Sequence, residues 1–470
     1  MGNSNYDVAV IGGGPAGYVA GVRVAQSGGR CMVIERDALG GTCLNWGCIP
    51  SKSLIASASL LRNIKNAGQF GIEVKGEVRA DLAAMVARKD KLVEGLVKGI
   101  SSLFKAHKVD HLAGEAKFEG PGRIKVALKE GGEAEVKADN IIIATGSRPS
   151  QIPAFPIDGE NIFSSDQAVH LTELPKRLLI IGAGAIGCEF GCLYRELGAD
   201  VTMVELLTRP LPLGDGDVST IIGRELKKQK INLLTGKKIL KVERENGEMV
   251  AHVEGDEPIK ADKVLVSIGR TMNTDSLGLE NIGVKLGSRG EVTVNDKMET
   301  NVKGVYAAGD VIGGLMLAHV GSAEGIVAAE NIMGGDLKMN YQGIPAGIFT
   351  HPEVGEVGLT EEKAREAGHE VRIGKFQMRV LGKAQAEREI AGEVKVIADA
   401  VDDRILGVHV VGAHAADLVH EAAVAIRNGV RATDLAETVH AHPTLAEAIM
   451  EAAHDVHGVA IHAPPKARAN

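Results

Sequence analysis

Two cysteines spaced Cys43-Leu-Asn-Trp-Gly-Cys48, between Gly40-Gly41-Thr42 and Ile49-Pro50-Ser51-Lys52, carry the most chemical potential in this 470-residue sequence. A pair of thiols at short range can exchange two electrons by closing and opening a disulfide, and a thiolate can attack a disulfide from outside. The pair suggests a redox-active disulfide. Two buried core cysteines are the competing reading, because packing is the usual fate of a free cysteine in an intracellular protein. Residues five apart on a regular helix are separated by about 7.5 Å along the axis alone, beyond the reach of an S–S bond. A bridge therefore requires a distorted first turn; Asn45 and Gly47 supply backbone freedom, and Pro50 suits a helix start. The total of five cysteines is odd, unlike an extracellular disulfide framework, and fits one functional pair with three left over. Cys188 and Cys192, one helical turn apart, are expected to be packing residues.

The elements that must position this pair come from an internal duplication. Asp7-Val-Ala-Val-Ile-Gly12-Gly-Gly14-Pro-Ala-Gly17 opens the chain, and Leu178-Leu-Ile-Ile-Gly182-Ala-Gly184-Ala-Ile-Gly187 repeats its pattern 170 residues later. Each predicts a strand, a glycine turn and a helix. Each is followed by an apolar strand ending in an acid, Cys31-Met-Val-Ile-Glu35 and Val201-Thr-Met-Val-Glu205, placed 23 residues after the first glycine in both copies. One such glycine motif is often only a tight turn, whereas two with matched strands and acids are far more specific. The glycines let backbone approach a pyrophosphate, the helix N-terminus stabilises its charge, and the acid accepts hydrogen bonds from a ribose diol. Two dinucleotides are implied, with the cysteines beside a flavin; Glu205 would repel a 2′-phosphate, so the second site favours NAD over NADP.

The stretch from Leu82 to Phe104 reads as a helical insertion, with Leu92, Leu96 and Ile100 on one face and Lys89, Lys91 and Lys98 solvated. Asn140-Ile-Ile-Ile-Ala-Thr145-Gly146 closes the first unit, and Lys263-Val-Leu-Val-Ser-Ile-Gly269-Arg270 matches it in the second, both as buried parallel strands. Asn301 to Asp310 is another strand, ending in Gly-Asp where Asp310 suits a helix cap, and an apolar helix follows from Ala318 to Ile332. From about Tyr341 the glycine fingerprints stop. Strands Glu393 to Ile397 and Ile405 to Val411, turned by Asp402-Asp403, and helices 417–428 and 444–454 predict a separate α+β unit. With no Ser/Gly-rich linker, the units are expected to pack closely.

Composition narrows the function classes. Gly makes up 59 residues, which fits frequent βα turns. Aromatic content of 3% disfavours base stacking, and a net charge of −8 disfavours a phosphate-backbone partner, so nucleic acid is not expected. No segment reaches 18 continuous apolar residues, and no signal peptide is read at the start, so a soluble, cytoplasmic setting without membrane partners is expected.

With Cys43 and Cys48, the paired fingerprints and Ala441-His442-Pro443-Thr444-Leu-Ala-Glu447 in place, the chain resembles the dihydrolipoamide dehydrogenase family of flavin-dependent pyridine nucleotide-disulfide oxidoreductases, over Tyr6 to about Gly458. The resemblance implies an α/β fold of two Rossmann-like dinucleotide-binding domains plus a C-terminal α+β dimerisation domain. Its divisions are an FAD domain with the redox cysteines (1–149), an NAD domain (150–272), a central segment returning to FAD (273–345) and an interface domain (346–470). It further implies that Gly12, Gly14, Gly17 and Glu35 hold the ADP part of FAD, with Thr145, Gly146 and Asp310 in contact with the cofactor. Gly182, Gly184, Gly187 and Glu205 would bind NAD, with Gly269 counted among the cofactor positions. Lys52 matches a family lysine beside the flavin, and Glu189 its carboxylate partner.

By the same resemblance His442 and Glu447 are the acid–base pair, placed by the family in the partner subunit of a homodimer. Taken as residues, Thr444 and Glu447 also fit a capping box and Pro443 a helix start. The implied reaction has His442 deprotonate a dihydrolipoyl thiol, Cys43 form the mixed disulfide and Cys48 leave as the thiolate near the flavin. The dihydrolipoyl group would arrive on a lipoylated acyltransferase or a glycine-cleavage carrier protein; no metal is expected. His440 is the expected non-catalytic neighbour. Met272, where relatives commonly have proline, is expected to loosen its turn, and Trp46 has no assigned role. Glutathione reductase is the nearest rival, but it needs a basic NADPH pocket that Glu205 opposes. Mercuric reductase is disfavoured because Ala460 to Asn470 contains no cysteine. A flavin-loaded docking subunit would leave the cysteine, lysine and histidine set unexplained.

Overall fold

The computed structural model describes residues 5–463. Strand Asn5–Ile11 lies between Cys31–Glu35 and Glu133–Ile143, parallel to both, and Val305–Ala307 continues the parallel set beyond Glu133–Ile143. An antiparallel excursion, Asp110–Gly120 to Arg123–Leu128, completes the six-stranded sheet. All five residues of Cys31–Glu35 are buried, as a parallel strand covered on both faces requires.

A second, fully parallel sheet runs in the order Asn232–Thr235, Asp200–Glu205, Arg177–Ile181, Lys263–Val266 and Ile162–Phe163. The third, five-stranded and antiparallel, contains Pro345–Ile348, Glu353–Gly358, Ile405–Gly412, Glu393–Asp399 and Val371–Gln377. Helices Ala415–Arg427 and Glu447–Val456 pack their buried alanine-rich sides into the core of this sheet. The expected fold class, two Rossmann-like units and an α+β unit, is the one observed.

The units meet through a buried ionic cluster. Lys395, on the third sheet, donates to Asp215 (2.9 Å) and Asp217 (2.6 Å) at the start of helix Gly216–Lys228 in the second unit, and pairs with Glu361 at 2.8 Å. Asp215 is fully buried and the Lys395 side chain 5% exposed, so these charges have replaced water with one another. Close packing without a linker follows from contacts of this kind.

Four expectations need correction. Helix Leu82–His107 forms, but its buried stripe is Leu82, Val86, Lys89, Ile100 and Phe104, while Leu92 and Leu96 are exposed. Two apolar stripes overlap at Ile100, and the helix turns inward the one that also carries the half-buried Val93 and Val97. Lys89, expected to be solvated, is fully buried against Asp90 and His170. The last helix starts at Glu447 rather than Thr444, whose hydroxyl donates to the Ala441 carbonyl at 2.8 Å instead of capping. Met272 does not sit in a loosened turn: it is buried, in a short ladder pairing Arg270–Met272 with Ser147–Pro149.

Candidate active site

The two glycine turns are built alike. At Gly12 an added Cβ would lie 2.2 Å from the Ala144 carbonyl oxygen, and at Gly182 2.5 Å from that of Ser267; both have φ near +100°. Gly17 and Gly187 are tighter still, with Cβ positions 1.8 Å from the Gly12 oxygen and 2.0 Å from the Gly182 oxygen. These third glycines let each helix press onto its strand. Gly14 and Gly184, the helix N-caps, face open space: a Cβ at Gly14 would meet nothing nearer than 3.8 Å and one at Gly184 nothing within 4 Å. That is the cradle a pyrophosphate needs.

The strand-end acids are held identically. Gly13 N–H donates to Glu35 Oε2 (2.6 Å) and Asp37 N–H to Oε1 (2.7 Å); Ala183 N–H donates to Glu205 Oε2 (2.7 Å) and Leu207 N–H to Oε1 (2.8 Å). Each carboxylate oxygen keeps a free lone pair for a sugar hydroxyl.

One cavity of about 1920 Å³ joins both turns and is lined by Gly12, Gly14, Glu35, Cys43, Cys48, Lys52, Thr145, Gly146, Gly182, Gly184, Glu189, Glu205, Gly269 and Asp310. These expected site residues are thus brought together. Gly17 and Gly187 sit behind it, in their packing role.

The cysteines lie where the helix breaks. Cys43 is in the short helix Gly41–Asn45, Cys48 is the first residue of helix Cys48–Lys65, and Gly47 between them takes φ −118°, ψ −107°. The distortion required for sulfur–sulfur approach is therefore present, although Pro50 comes third in the helix rather than first. Asn45 secures the break by donating its side-chain amide to the Leu39 and Gly41 carbonyls at 3.1 and 3.0 Å. Both cysteines stand as thiols, hydrogen-bonded to each other. Accepting the Cys43 S–H bond lowers the Cys48 thiol to about 7; burial opposes this, and the Lys52 ammonium assists it. Cys43 is pushed far up, first by donating that bond and then by burial. The pair is thus polarised, with Cys48 the more readily ionised of the two. Cys31, Cys188 and Cys192 are buried, with thiols raised by desolvation, as packing residues should be.

Lys52, one turn after Cys48, donates to Glu189 Oε2 at 2.8 Å and Oε1 at 3.0 Å. Glu189 comes from helix Ala185–Leu197 of the second unit, and Phe349 of the third donates its N–H to Glu189 Oε1 (2.9 Å) and places its ring 4.6 Å from the ammonium. All three units therefore meet at one cation. Phe349 had no signal in the sequence. Asp310 does not cap a helix through its side chain; its carboxylate accepts from the Ser147 hydroxyl and faces Arg270 Nε at 3.8 Å, while Arg270 donates to Ser147 Oγ at 2.6 Å. Thr145 Oγ1 donates to the Asn273 carbonyl (2.7 Å). Trp46 lines the cavity beside the cysteines.

His442 and Glu447 pair with each other at 2.9 Å, but neither lines the cavity of its own chain. The His442 side chain is 77% exposed, while Glu447 is held by the Thr444 N–H at 2.9 Å. His440, by contrast, is 6% exposed and tied to Glu421 and the Thr438 carbonyl.

Comparison with known proteins follows the same division. The family described as pyridine nucleotide-disulphide oxidoreductase matches residues 6–325, and its dimerisation domain matches residues 344–453. The chain is 42% identical over 468 residues to the mitochondrial dihydrolipoyl dehydrogenase 1 of Arabidopsis thaliana, covering 98% of this chain and 92% of that one. It is likewise 42% identical to the dihydrolipoyl dehydrogenase of Thermus scotoductus, covering 97% and 98%. The crystal structure of LpdA from Mycobacterium tuberculosis superimposes with a TM-score of 0.89 at 29% identity, over 96% of this chain and 99% of that one.

Proposed function

Because the chain belongs to the pyridine nucleotide-disulphide oxidoreductase family, we propose that it is a dihydrolipoyl dehydrogenase, oxidising protein-bound dihydrolipoyl groups through Cys43 and Cys48 with FAD and NAD. The observation that carries this reading is the polarised thiol pair beside Lys52 and Glu189, in the one cavity that both glycine turns enter. FAD bound at the first turn would supply a two-electron acceptor for the thiols, and NAD bound at the second would supply the hydride acceptor. The open positions at Gly14 and Gly184 and the held carboxylates of Glu35 and Glu205 fit these two groups. The four divisions at 149, 272 and 345 are the frame we assign to them.

The protein residues divide the work on the oxidised Cys43–Cys48 disulfide as follows. His442 of the partner subunit, oriented by Glu447 of the partner subunit, takes the proton of one dihydrolipoyl thiol. The resulting thiolate attacks the Cys43 sulfur; the S–S bond opens, and Cys48 departs as a thiolate that Lys52 stabilises. The second dihydrolipoyl sulfur then attacks the mixed disulfide and closes the lipoyl ring, its proton passing to the departing Cys43 sulfur, so that Cys43 is left as a thiol and Cys48 as a thiolate. His442 and Glu447 lie outside their own chain's cavity and within the matched dimerisation domain, which supports completion of the site by a second copy. The substrate group would be presented by a lipoylated acyltransferase or carrier protein. We assign the protein a cytoplasmic setting, which its odd number of cysteines, unlike an extracellular disulfide framework, supports; among the described residues no helix is long and apolar enough to cross a membrane.

The test is anaerobic addition of dihydrolipoamide and NAD to the FAD-loaded protein. NADH should form, much faster than NADPH from NADP, and Cys48→Ser should abolish it while flavin stays bound. Undiminished turnover by Cys48→Ser would overturn the thiol route; bound flavin with no activity in the wild type would favour a docking subunit.

A further inference from the structure

A second cavity of about 650 Å³ lies on the far side of the strand ends that hold Glu205, within the size range of small-molecule sites. It runs along the flank of helix Gly216–Lys228 beside the edge strand Asn232–Thr235. Among the described residues four cations line it, Arg209, Arg224, Lys227 and Lys228, and no carboxylate does. In a chain of net charge −8 this is a local reversal of sign.

The cations are only partly neutralised. Glu225 takes Arg224 at 3.3 Å and Lys228 at 2.8 Å, and Glu362 takes Arg209 at 3.1 Å, which leaves four positive charges shared by two negative ones. Lys227 has no ion-pair partner among the described residues. Basic residues in the last turn of a helix answer its dipole, which accounts for Lys227 and Lys228. It does not account for Arg224, a turn earlier, or for Arg209, which comes from the preceding loop. Thr220, Gly223, Arg224 and Lys227 fall on one helical stripe, so the charges converge along the helix flank. Among the described residues Pro210 and Leu233 are the only apolar side chains of the lining, which leaves no platform for an aromatic ring.

We propose that this groove binds a small polyphosphate-bearing metabolite and that its occupancy weakens NAD binding. Arginine and lysine together, without an aromatic surface, recognise phosphoryl oxygens rather than a base or an acyl chain. The groove and the ribose acid share a wall. Thr235 lies opposite Glu205 in the parallel register, Leu207 N–H donates to Glu205 Oε1, and Gly236 N–H donates to the Leu207 carbonyl at 2.8 Å. Thr208, the next residue, lines the groove. A polyanion there stands across one strand end from Glu205, the acid assigned to the ribose of NAD, and its negative charge opposes the approach of the negatively charged nucleotide. By linkage NAD must weaken the polyanion by the same factor. The coupling rests on the assignment of NAD to the Glu205 site, whereas binding to the groove does not.

The experiment uses the FAD-loaded protein and inorganic tripolyphosphate at low ionic strength. Calorimetry without NAD should show one site per chain, absent from the double variant Arg224→Ala/Lys227→Ala. Saturating tripolyphosphate should raise the wild-type Kd for NAD about fivefold or more, leave the double variant unaffected, and leave its NAD affinity without tripolyphosphate equal to that of the wild type. Absence of binding, or binding that survives in the double variant, would overturn the site. Weakening of NAD that persists in the double variant would show direct competition at the nucleotide turn and overturn the coupling. If the protein binds no NAD at all, the calorimetric arm still decides the groove, and the failure belongs to the nucleotide assignment.

Discussion

Replacing Lys52 by Met should move the Cys48 thiol upward, by an amount that can be worked from the site. Three influences favour the thiolate or oppose it from side chains: the Cys43 S–H bond lowers the pKa, the Lys52 ammonium lowers it, and the Glu189 carboxylate raises it, for a resultant near 7. An opposite charge at short range typically shifts such a group by about 1–3 units. Loss of the ammonium should therefore take Cys48 to about 8 or above. At pH 7 the thiolate fraction would fall from about one half to about one tenth, and alkylation at Cys48 would slow about fivefold. Glu189→Gln must do the reverse, because it removes a negative charge, and should lower the midpoint below 7. The assay is the pH dependence of iodoacetamide modification of the reduced protein, with fragment-ion mass spectrometry separating Cys48 from Cys43. The reasoning fails if Lys52→Met leaves the midpoint near 7, or if both substitutions move it in the same direction.

Other consequences are independent of that pair. His442→Gln should cut dihydrolipoamide-to-NAD turnover by about 10²–10⁴-fold, while NADH oxidation by an artificial acceptor stays unchanged; equal losses in both assays would mean a structural role. Lys395→Ala strands the buried carboxylate of Asp215 and should cost about 3–5 kcal/mol in reversible denaturant unfolding, with Lys395→Met no better unless packing rather than charge sets the cost. Glu324 is buried, accepts from the Gly309 N–H (2.7 Å) and the Tyr341 hydroxyl (2.8 Å), and has its carboxyl raised to about 7, chiefly by desolvation. A carboxyl raised in the folded state contributes stability in full below its ordinary value near 4.5, and that contribution is lost as pH rises through about 7. Thermal unfolding of the wild type should therefore lose stability between pH 5 and 7.5 relative to Glu324→Gln, and parallel pH profiles would refute this.

Much of the molecule was legible because short-range rules fixed it. The glycine turns, their strands and the terminal acids Glu35 and Glu205 were readable because backbone approach and positive φ leave glycine little competition at Gly12 and Gly182, and because acids at matched spacing repeat the pattern. The break between Cys43 and Cys48 was readable because helix geometry forbids close sulfurs without one. The helix Leu82–His107 was legible as a helix but not in its orientation: two apolar stripes crossed at Ile100, and only packing against the rest of the chain selected the one that buries Lys89. Phe349, Ser147 and the Lys395 cluster left no mark, since each acquires its role from residues far away in the chain. Sequence alone determined the residue types, the two nucleotide turns and the site of the thiol pair, all of which depend on neighbours within a turn or a strand. Only the tertiary structure decided which charges share low-dielectric space, that Phe349 joins the expected Lys52–Glu189 pair from a third unit, and that His442 lies outside its own chain's cavity, because electrostatic strength depends on distance and burial that a linear spacing does not contain.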